Sequence, residues 1–336
     1  MINGHGDDMH CFSRAIVSNF SSNVYAKLDN SALKHYIVEH LNFIDFYPEP
    51  EAESLQKALA QNLNLAPDEV GVTNGATEAI YLIAQAFAQA YSVILQPTFS
   101  EYGDACSLHH HRVQSIYRLQ DIPAEADICW LCNPNNPTGE VYDKGLLKEL
   151  ITTNEKILFV IDQSYEAFTM QSLLTAEEAA AYPNVILLHS MTKECKMAGL
   201  RLGYLTANPL LMQRIRQQRM PWSVNNLALL AGHFRLKHPQ EFDLPQYLQE
   251  TQRLKKALEG LGVIKVWHTD THILLCQLRL GKAAALKRYL VQEHGILIRD
   301  AANFEGLNDT FFRIATQSPE ENKVLTQSIA QWIALS

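Results

Sequence analysis

The sequence predicts an α/β fold with a large domain, in which helices cover a mostly parallel sheet, and a smaller α+β domain. Apolar strands alternate with amphipathic helices through the middle of the 336-residue chain. These strands are apolar along their whole length, which is typical of a parallel sheet covered on both faces. Beyond about residue 236 the pattern changes to short strands and helices, which indicates a second, smaller unit.

The elements of the large domain follow from its apolar runs, in chain order. The predicted strands are VGVTNG, SVILQP, ADICWLCNP, KILFVIDQ and NVILLHSM. The predicted helices, which separate the first four strands, are TEAIYLIAQAFAQA, SEYGDACSLHHH and KGLLKELITTN. Helices between consecutive strands favour parallel connections.

The smaller domain has shorter elements. They are predicted to be the helix EFDLPQYLQETQRLKKALEGLG, the strands IKVW and HILLCQL, the helix KAAALKRYLVQEHG, the strands ILIRDA and FFRIAT, and a closing helix. We therefore predict three parts: an N-terminal segment, residues 1–46, that packs with the small domain; the large domain, residues 47–236; and the small domain, residues 237–336.

Charge and composition exclude several classes of protein. A net charge of −8 argues against nucleic-acid binding, and no apolar run is long enough to span a membrane. The first residues, MINGHGDDMH, lack the features of a signal peptide. Six cysteines without framework spacing fit a reducing compartment, so we expect a soluble cytoplasmic protein.

Polar residues follow the predicted strands at the edge where open α/β sheets bind ligands. Gly75, Ala76 and Thr77 join a strand to a helix, where backbone N–H groups and a hydroxyl could hold an anion. An ordinary helix cap would give the same pattern. The turn CNPNNPTG alone indicates only a loop.

Charged residues at two further strand ends indicate chemistry. Asp162 ends the strand ILFVID, and Tyr165 follows it; Lys193 and Arg201 come after the strand NVILLHSM. A buried lysine is costly unless it is paired or neutral, and a lysine with a lowered pKa can form a Schiff base with a carbonyl. Together these residues meet the needs of pyridoxal phosphate: a lysine for its aldehyde, an acid for its ring nitrogen, Tyr and Asn for its phenolic oxygen, and a helix start with Arg for its phosphate.

The sequence resembles the class I/II aminotransferase family, pyridoxal-phosphate enzymes of fold type I, almost from end to end. The matching segments are YPEP, TNGATEAI, PTFSEY, NPNNPTG, DQSYEAF, SMTKECKMAGLRLGY and FFRIA, in the order and spacing of the family. Many relatives have Ser-Phe-Ser-Lys where this chain has Ser-Met-Thr-Lys, but both hydroxyls are kept. The resemblance implies that pyridoxal 5′-phosphate is the cofactor.

The resemblance also implies catalytic and cofactor-binding roles. Lys193 would form the internal aldimine and shuttle a proton, and Asp162 would pair with the ring nitrogen. Asn136 and Tyr165 would hold the phenolic oxygen, and Tyr102 would stack on the ring. The phosphate would be held by Gly75, Ala76, Thr77, Ser190 and Arg201, with Thr192 as a further contact.

Two more roles concern the partner subunit and the substrate. Tyr47 of YPEP would reach the phosphate of the neighbouring subunit, because active sites of the family form at a dimer interface; we therefore expect a homodimer. Arg313 of FFRIA resembles the arginine that grips a substrate carboxylate bidentately.

Two subgroups are similar to this chain: histidinol-phosphate aminotransferases and threonine-phosphate decarboxylases of cobalamin synthesis. NGHGDD, NGATEAIY and ILIRDAANFEGL favour the decarboxylases. By that resemblance Arg299, His5 and Asn23 would contact the substrate phosphate or its surroundings. Two arginines, Arg299 and Arg313, suit a substrate with both phosphate and carboxylate, as in threonine phosphate. Transamination of histidinol phosphate or another amino acid is the alternative.

Other classes fit less well. A regulator with a pyridoxal-phosphate fold would need an N-terminal DNA-binding domain, and only 46 residues precede YPEP. No G-x-G-x-x-G follows a strand, which counts against a dinucleotide dehydrogenase. Cys129 and Cys132 are expected to be structural, and HHH at 109–111 to be a solvated helix end, so no metal site is predicted.

Overall fold

A computed structural model describes residues 7–25, 27–239 and 242–335 of the chain. Its strands are β1 (Ser18–Asn19), β2 (Val70–Thr73), β3 (Tyr91–Leu95), β4 (Arg112–Ile116), β5 (Ile128–Cys132), β6 (Leu158–Asp162), β7 (Val185–Ser190), β8 (Gly203–Ala207), β9 (Ile264–Val266), β10 (Ile273–Leu278), β11 (Ile296–Leu297), β12 (Arg299–Asp300) and β13 (Phe311–Ala315). Its α-helices are α1 (Ser31–Glu39), α2 (Glu53–Asn62), α3 (Gly75–Ala86), α4 (Glu101–Leu108), α5 (Lys144–Thr153), α6 (Ala176–Ala180), α7 (Pro209–Arg216), α8 (Asn226–Lys237), α9 (Leu244–Glu259), α10 (Ala283–Tyr289) and α11 (Pro319–Leu335). Within the described ranges, none of these helices has the length and apolar character needed to cross a bilayer.

A seven-stranded sheet, in the order β2-β8-β7-β6-β5-β3-β4, forms the larger layer. The strands from β7 through β4 pair in parallel, whereas β8 is antiparallel to both of its neighbours. The predicted mostly parallel sheet is therefore confirmed. The carboxyl ends of β3, β5, β6 and β7 meet at one edge of this sheet.

Both faces of the large sheet are covered, which explains the apolar composition of its strands. Along β5, Trp130 packs in the core on one face, and Cys129 and Leu131 pack in the core on the other. Successive side chains of a strand point to opposite faces, so a strand in such a sheet must be apolar at every position.

The second sheet is antiparallel and has four strands in the order β12-β13-β10-β9. Its buried face packs with α9, α10 and α11 through a core that includes Leu274, Phe312 and Leu325. The short strand β1 pairs in parallel with β11, beside this sheet.

The N-terminal segment contacts both layers. Phe20 lies in the core of the smaller sheet. Leu33 of α1, however, packs with Leu55 and Ala228, in the core that α2 and α8 form beside the large sheet. The segment therefore joins the two layers, and only its first part packs with the small sheet.

Candidate active site

A cavity of about 220 Å³ opens at the carboxyl edge of the large sheet, next to the small sheet. It brings together residues that are far apart in the sequence. The predicted site residues that line it are Asn23, Ala76, Thr77, Tyr102, Asn136, Asp162, Tyr165, Ser190, Thr192, Lys193, Arg201 and Arg313.

One end of the cavity is built to hold an anion. Helix α3 begins at Gly75, so the unpaired N–H groups of its first turn lie at this end. Gly75 has φ +80°, a backbone conformation that favours glycine, and a Cβ there would lie 2.5 Å from Nη2 of Arg201 and displace the guanidinium. Ser190 Oγ and Thr192 Oγ1 add two hydroxyls, 2.7 Å apart.

Lys193 lies in the turn after β7 and lines the cavity. Its backbone carbonyl accepts a hydrogen bond of 3.0 Å from the N–H of Tyr25, which fixes the turn. Burial, and then the positive charges of Arg313 and Arg201, lower the pKa of Lys193 to about 8, while Asp162 acts in the opposite direction. A lysine with this pKa can accept and donate a proton near neutral pH.

Asp162 ends β6 and is held by two hydrogen bonds. Its Oδ1 accepts from the N–H of Ser164 at 2.8 Å, and its Oδ2 accepts from the hydroxyl of Tyr102 at 2.7 Å. Burial, together with the negative charge of Asp162, raises the pKa of Tyr102 well above its ordinary value, so Tyr102 remains a donor. The carboxylate is therefore fixed in direction at the bottom of the cavity.

Tyr102 makes a contact that the sequence did not predict. Its ring is 1% exposed and stacks on Trp130 at 5.8 Å, while its hydroxyl contacts Asp162. Tyr102 lies in the first turn of α4, which directs its side chain toward the sheet. The hydroxyl of Tyr102 therefore orients the acid, and stacking of its ring on the cofactor stays a prediction. Phe99, just before α4, also lines the cavity, with its ring edge-on to Tyr102.

A hydrogen-bonded network lines the wall next to the small sheet. Asn23 Nδ2 donates to the hydroxyl of Tyr165 at 2.8 Å. Arg313 donates from Nη1 to Asn136 Oδ1 and from Nη2 to the carbonyl of Ser21, each at 2.6 Å. Burial lowers the pKa of Arg313 to about 10, which still leaves the guanidinium charged at neutral pH.

Two buried polar atoms in this wall have no hydrogen-bond partner in the described part of the chain. They are Oδ1 of Asn23 and Nε of Arg313. Buried polar groups in proteins are almost always hydrogen-bonded, so these atoms indicate a missing polar ligand. With the anion end, the lysine and the fixed acid, the cavity residues fit pyridoxal phosphate and a polar substrate.

Two of the predicted side chains that the structure describes do not line the cavity. Tyr47 is 86% exposed and lies beside Trp222, with ring centroids 5.5 Å apart. Arg299 is buried on β12, directly opposite Arg313 on β13, and donates to Oδ1 of Asn303 at 2.7 Å. His5 lies outside the described residues.

Sequence reasoning missed several residues of the cavity wall. Among them are Asp7, Ser21 and Ser22 of the N-terminal segment. No pattern around them indicates a site, because their position depends on how this segment folds back over the sheets. The sequence signals in this region were the segment NGHGDD, which contains Asp7, and the predicted Asn23.

The prediction of a solvated helix end at HHH is wrong for its last residue. Helix α4 ends at Leu108, and His111 is buried. Its ring bonds Ser92 Oγ and the carbonyl of Ala84, each at 2.8 Å, so it has a structural role. In the described ranges, no group of three or more His, Cys, Asp or Glu side chains could hold a metal ion.

The fold and the cavity define a class of enzyme that uses pyridoxal phosphate, and comparison with known proteins agrees. A sequence model of the family "Aminotransferase class I and II" matches residues 15–329, so the chain belongs to this family. It is an enzyme, and its cofactor is pyridoxal 5′-phosphate.

Individual relatives have two named activities. A threonine-phosphate decarboxylase of Salmonella typhimurium is 30% identical over 328 residues, which cover 93% of this chain and 90% of that protein. A histidinol-phosphate aminotransferase of Caldanaerobacter subterraneus is 28% identical over 303 residues, covering 86% and 84%. The solved L-threonine-O-3-phosphate decarboxylase from Porphyromonas gingivalis is 35% identical, with a TM-score of 0.93, and covers 95% of this chain and 100% of that one.

Proposed function

We propose that this enzyme removes the carboxylate from a small phosphorylated amino acid such as threonine phosphate. The pairing of Arg299 with Arg313 carries this proposal. Side chains directly opposite each other on neighbouring antiparallel strands lie on the same face of the sheet. Both guanidinium groups therefore extend from the same face. Arg299 contributes to lowering the pKa of Arg313, which indicates that the two charges are close.

Two neighbouring cations suit a substrate with two anionic groups. Threonine phosphate carries a phosphate and a carboxylate, whereas histidinol phosphate lacks the carboxylate. Arg313, at the cavity wall, has a free Nε that could complete a bidentate contact with an oxyanion. The similarity to threonine-phosphate decarboxylases supports the same assignment.

Different residues of the cavity would hold different parts of the cofactor. When bound, the cofactor supplies an electron-withdrawing ring that accepts the electron pair released at the substrate Cα. Asp162, oriented by Tyr102, would hold the ring nitrogen, and Tyr165 with Asn136 would hold the phenolic oxygen. Gly75, Ala76, Thr77, Ser190, Thr192 and Arg201 would hold the phosphate.

Lys193 would handle the proton. In decarboxylation the bond between Cα and the carboxylate carbon breaks, carbon dioxide leaves, and Cα takes a proton, which Lys193 can supply. In transamination the Cα–H bond breaks instead, and the same lysine would accept the proton. A pKa of about 8 suits either task at neutral pH.

The two reactions differ in their need for a keto acid. We expect the purified enzyme, loaded with its cofactor, to release carbon dioxide from threonine phosphate without any keto acid. The variant Lys193→Ala should lose this activity and the borohydride-stable link to the cofactor. Turnover that requires 2-oxoglutarate and yields glutamate would overturn the proposal.

Transamination of histidinol phosphate is the second candidate. Its support is the similarity to histidinol-phosphate aminotransferases. Glutamate formation from histidinol phosphate and 2-oxoglutarate, with no carbon dioxide from threonine phosphate, would establish it. The roles of the cofactor-binding residues would be unchanged.

We propose that the enzyme is a homodimer with shared active sites. Exposed apolar side chains between α1 and α2 support this: Leu41, Phe43, Ile44, Phe46 and Tyr47. Exposed apolar patches of this kind usually mark protein–protein contacts. In a dimer, Tyr47 would reach the phosphate site of the partner subunit.

The predicted division of the chain and its location are proposals as well. We propose a large domain of residues 47–236 and a small domain of residues 237–336, because the two sheets lie on either side of this boundary.

A cytoplasmic location is supported by the cysteines, which are free and, except for Cys11, buried.

A further inference from the structure

A buried imidazole joins three chain segments behind the cavity wall. His272 lies just before β10 and is 0% exposed. Its Nε2 donates a hydrogen bond of 3.1 Å to the backbone carbonyl of Asn23. The side chain of Asn23 in turn donates from Nδ2 to the hydroxyl of Tyr165 at 2.8 Å. The small sheet, the N-terminal segment and the large sheet are thus connected at one point.

The imidazole is held rigidly and stays neutral. Its ring lies 4.0 Å from the ring of Phe168 and stacks on Tyr247 at 5.7 Å. Burial lowers the pKa of His272 to about 3, and the positive charges of Arg313 and Lys193 contribute. A neutral imidazole carries one proton, and the bond to a carbonyl places that proton on Nε2. His272 is therefore a fixed hydrogen-bond donor at neutral pH.

The contact from Asn23 sets the direction of the proton on Tyr165. Burial is the main cause that raises the pKa of Tyr165 to about 12, so this side chain stays a phenol at neutral pH. A phenol oxygen both accepts and donates, and its accepting position is taken by Nδ2 of Asn23. The proton of Tyr165 is left to point into the cavity.

We propose that His272 is a positioning residue for the cofactor pocket. By holding the carbonyl of Asn23, it fixes the amide that directs the proton of Tyr165 toward the phenolic oxygen of the cofactor. This inference rests on the proposed role of Tyr165. It adds a residue that does not line the cavity and that the predicted site did not include.

The variant His272→Phe tests the proposal, because it keeps an aromatic ring in the stack and removes the donor. A hydrogen bond to the phenolic oxygen stabilises its deprotonated form, so weakening that bond should raise the pH midpoint of the absorbance transition of the bound cofactor. The dissociation constant of the cofactor should rise about fivefold, the effect of one lost hydrogen bond. His272→Gln, which retains an N–H donor, should restore most of both values.

A matched control separates positioning from stability. Tyr247→Phe alters the same ring stack and removes the bond of 2.6 Å from its hydroxyl to the carbonyl of Thr316, but it leaves Asn23 untouched. It should lower Tm without moving the absorbance midpoint. A His272→Phe variant that lowers Tm and leaves the midpoint unchanged would overturn the proposal.

Coupling between residues gives a second, independent test. Asn23→Ala removes the contact to Tyr165 directly and should raise the midpoint; adding His272→Phe should then have no further effect. If the midpoint shifts of the two single variants add up in the double variant, the inference is refuted. Tyr165→Phe serves as the reference, since an unchanged midpoint in that variant would also refute the proposed role of Tyr165.

Discussion

Lys193 is the residue whose environment bears most directly on the chemistry. Arg313 contributes to its lowered pKa, second only to burial. We expect Arg313→Gln to raise the pKa of Lys193 in the cofactor-free protein, because a neighbouring positive charge no longer opposes protonation. Because Lys193 stays buried in this variant, its pKa should remain below that of an ordinary lysine.

The pH dependence of amine labelling at Lys193, followed by peptide mass spectrometry, measures this shift. Arg14→Gln is a suitable control, because Arg14 is exposed and bonds the backbone carbonyls of Gln292 and Glu293, none of which lines the cavity. An unchanged labelling profile in Arg313→Gln would show that the two charges do not interact.

Tyr102 offers a test between two roles. Tyr102→Phe keeps the ring and removes the donor to Asp162. If the hydroxyl orients the acid, kcat/KM should fall by at least tenfold, which corresponds to a lost bond to a charged group of about 1.5–3 kcal/mol. If the ring were the functional part, activity would be retained. Tm reports whether the packing against Trp130 is intact.

The contact of Tyr102 with Asp162 could not be predicted from the sequence, for a physical reason. PTFSEY contains two aromatic residues three positions apart, Phe99 and Tyr102; both line the cavity, and resemblance alone does not fix which polar contacts they make. Phe99 precedes α4, whereas Tyr102 lies in its first turn, so the start of the helix decides their directions. Element boundaries are the least certain part of sequence-based prediction.

Two glutamates should change stability with pH in opposite directions. Burial, and then the nearby charge of Glu166, raises the pKa of Glu194 to about 7. Between pH 4.5 and 7 the unfolded chain releases this proton while the folded chain keeps it, so folding loses stability as pH rises. Glu194→Gln removes that loss and should stabilise the protein above pH 7, by at most about 3 kcal/mol.

Glu178 is the matched contrast. Burial opposes its ionisation, but hydrogen bonds from Lys144 and Lys148 outweigh it and lower the pKa of Glu178 to about 2. The ionised Glu178 contributes to the stability of the folded protein above pH 4.5, and this contribution is lost as pH falls toward 2. Denaturant unfolding across pH should therefore show Glu178→Gln less stable than wild type at neutral pH. If stability depends on pH in the same way in Glu194→Gln and Glu178→Gln, both pKa assignments are contradicted.

At the scale of elements, the start of α3 depends on a close contact with β8. A Cβ at Gly203 would lie 2.6 Å from the N of Ala76, within the first turn of the helix. Gly203→Ala should displace that turn, cost about 1–3 kcal/mol of stability and weaken cofactor binding through its phosphate. Thermal unfolding and cofactor titration measure the two effects.

Gly199→Ala is the control for this prediction. Gly199 lies in the neighbouring 3-10 turn, and a Cβ there would meet nothing within 4 Å. It should leave stability and cofactor binding almost unchanged. Equal effects of the two substitutions would show that the contact at α3 is not what matters.

The elements that sequence reasoning found, and those it missed, differ in burial. β5, β6 and β7 were predicted because they are apolar along almost their whole length. β4 was missed because it lies at the edge of the sheet and its first three residues are exposed. β8 was missed because it follows directly on a glycine-containing turn, and its antiparallel direction leaves no helix to mark it.

At the scale of the whole molecule, the cavity forms where the large sheet, the small sheet and the N-terminal segment meet. Asp162 and Lys193 could be predicted as site residues because they lie at the ends of predicted strands, and parallel strands place their carboxyl ends at the same edge of a sheet. The residues from the N-terminal segment, Asp7, Ser21 and Ser22, could not be predicted in this way. Their place depends on long-range pairing, such as that of β1 with β11.

The proposed dimer predicts that an exposed segment is needed for activity. Ile44 is 62% exposed, and Ile44→Asp should place a charge in the interface and give a monomer that binds cofactor weakly. Leu280→Asp is the control, since Leu280 is 73% exposed in the turn after β10, far along the chain from this segment. Sedimentation velocity should separate the two variants, and a dimeric Ile44→Asp protein would argue against this interface.

Mixing two inactive variants tests whether the sites are shared. If Tyr47 serves the partner's site and Lys193 its own, a mixed dimer of Lys193→Ala and Tyr47→Ala subunits has one site with both residues intact. Subunit exchange should then restore about a quarter of the native sites, because half of the dimers are mixed and each has one intact site. Each variant alone should have low activity, and Tyr47→Ala should have an increased dissociation constant for the cofactor. If mixing restores no activity although the subunits exchange, Tyr47 acts within its own subunit or not at all.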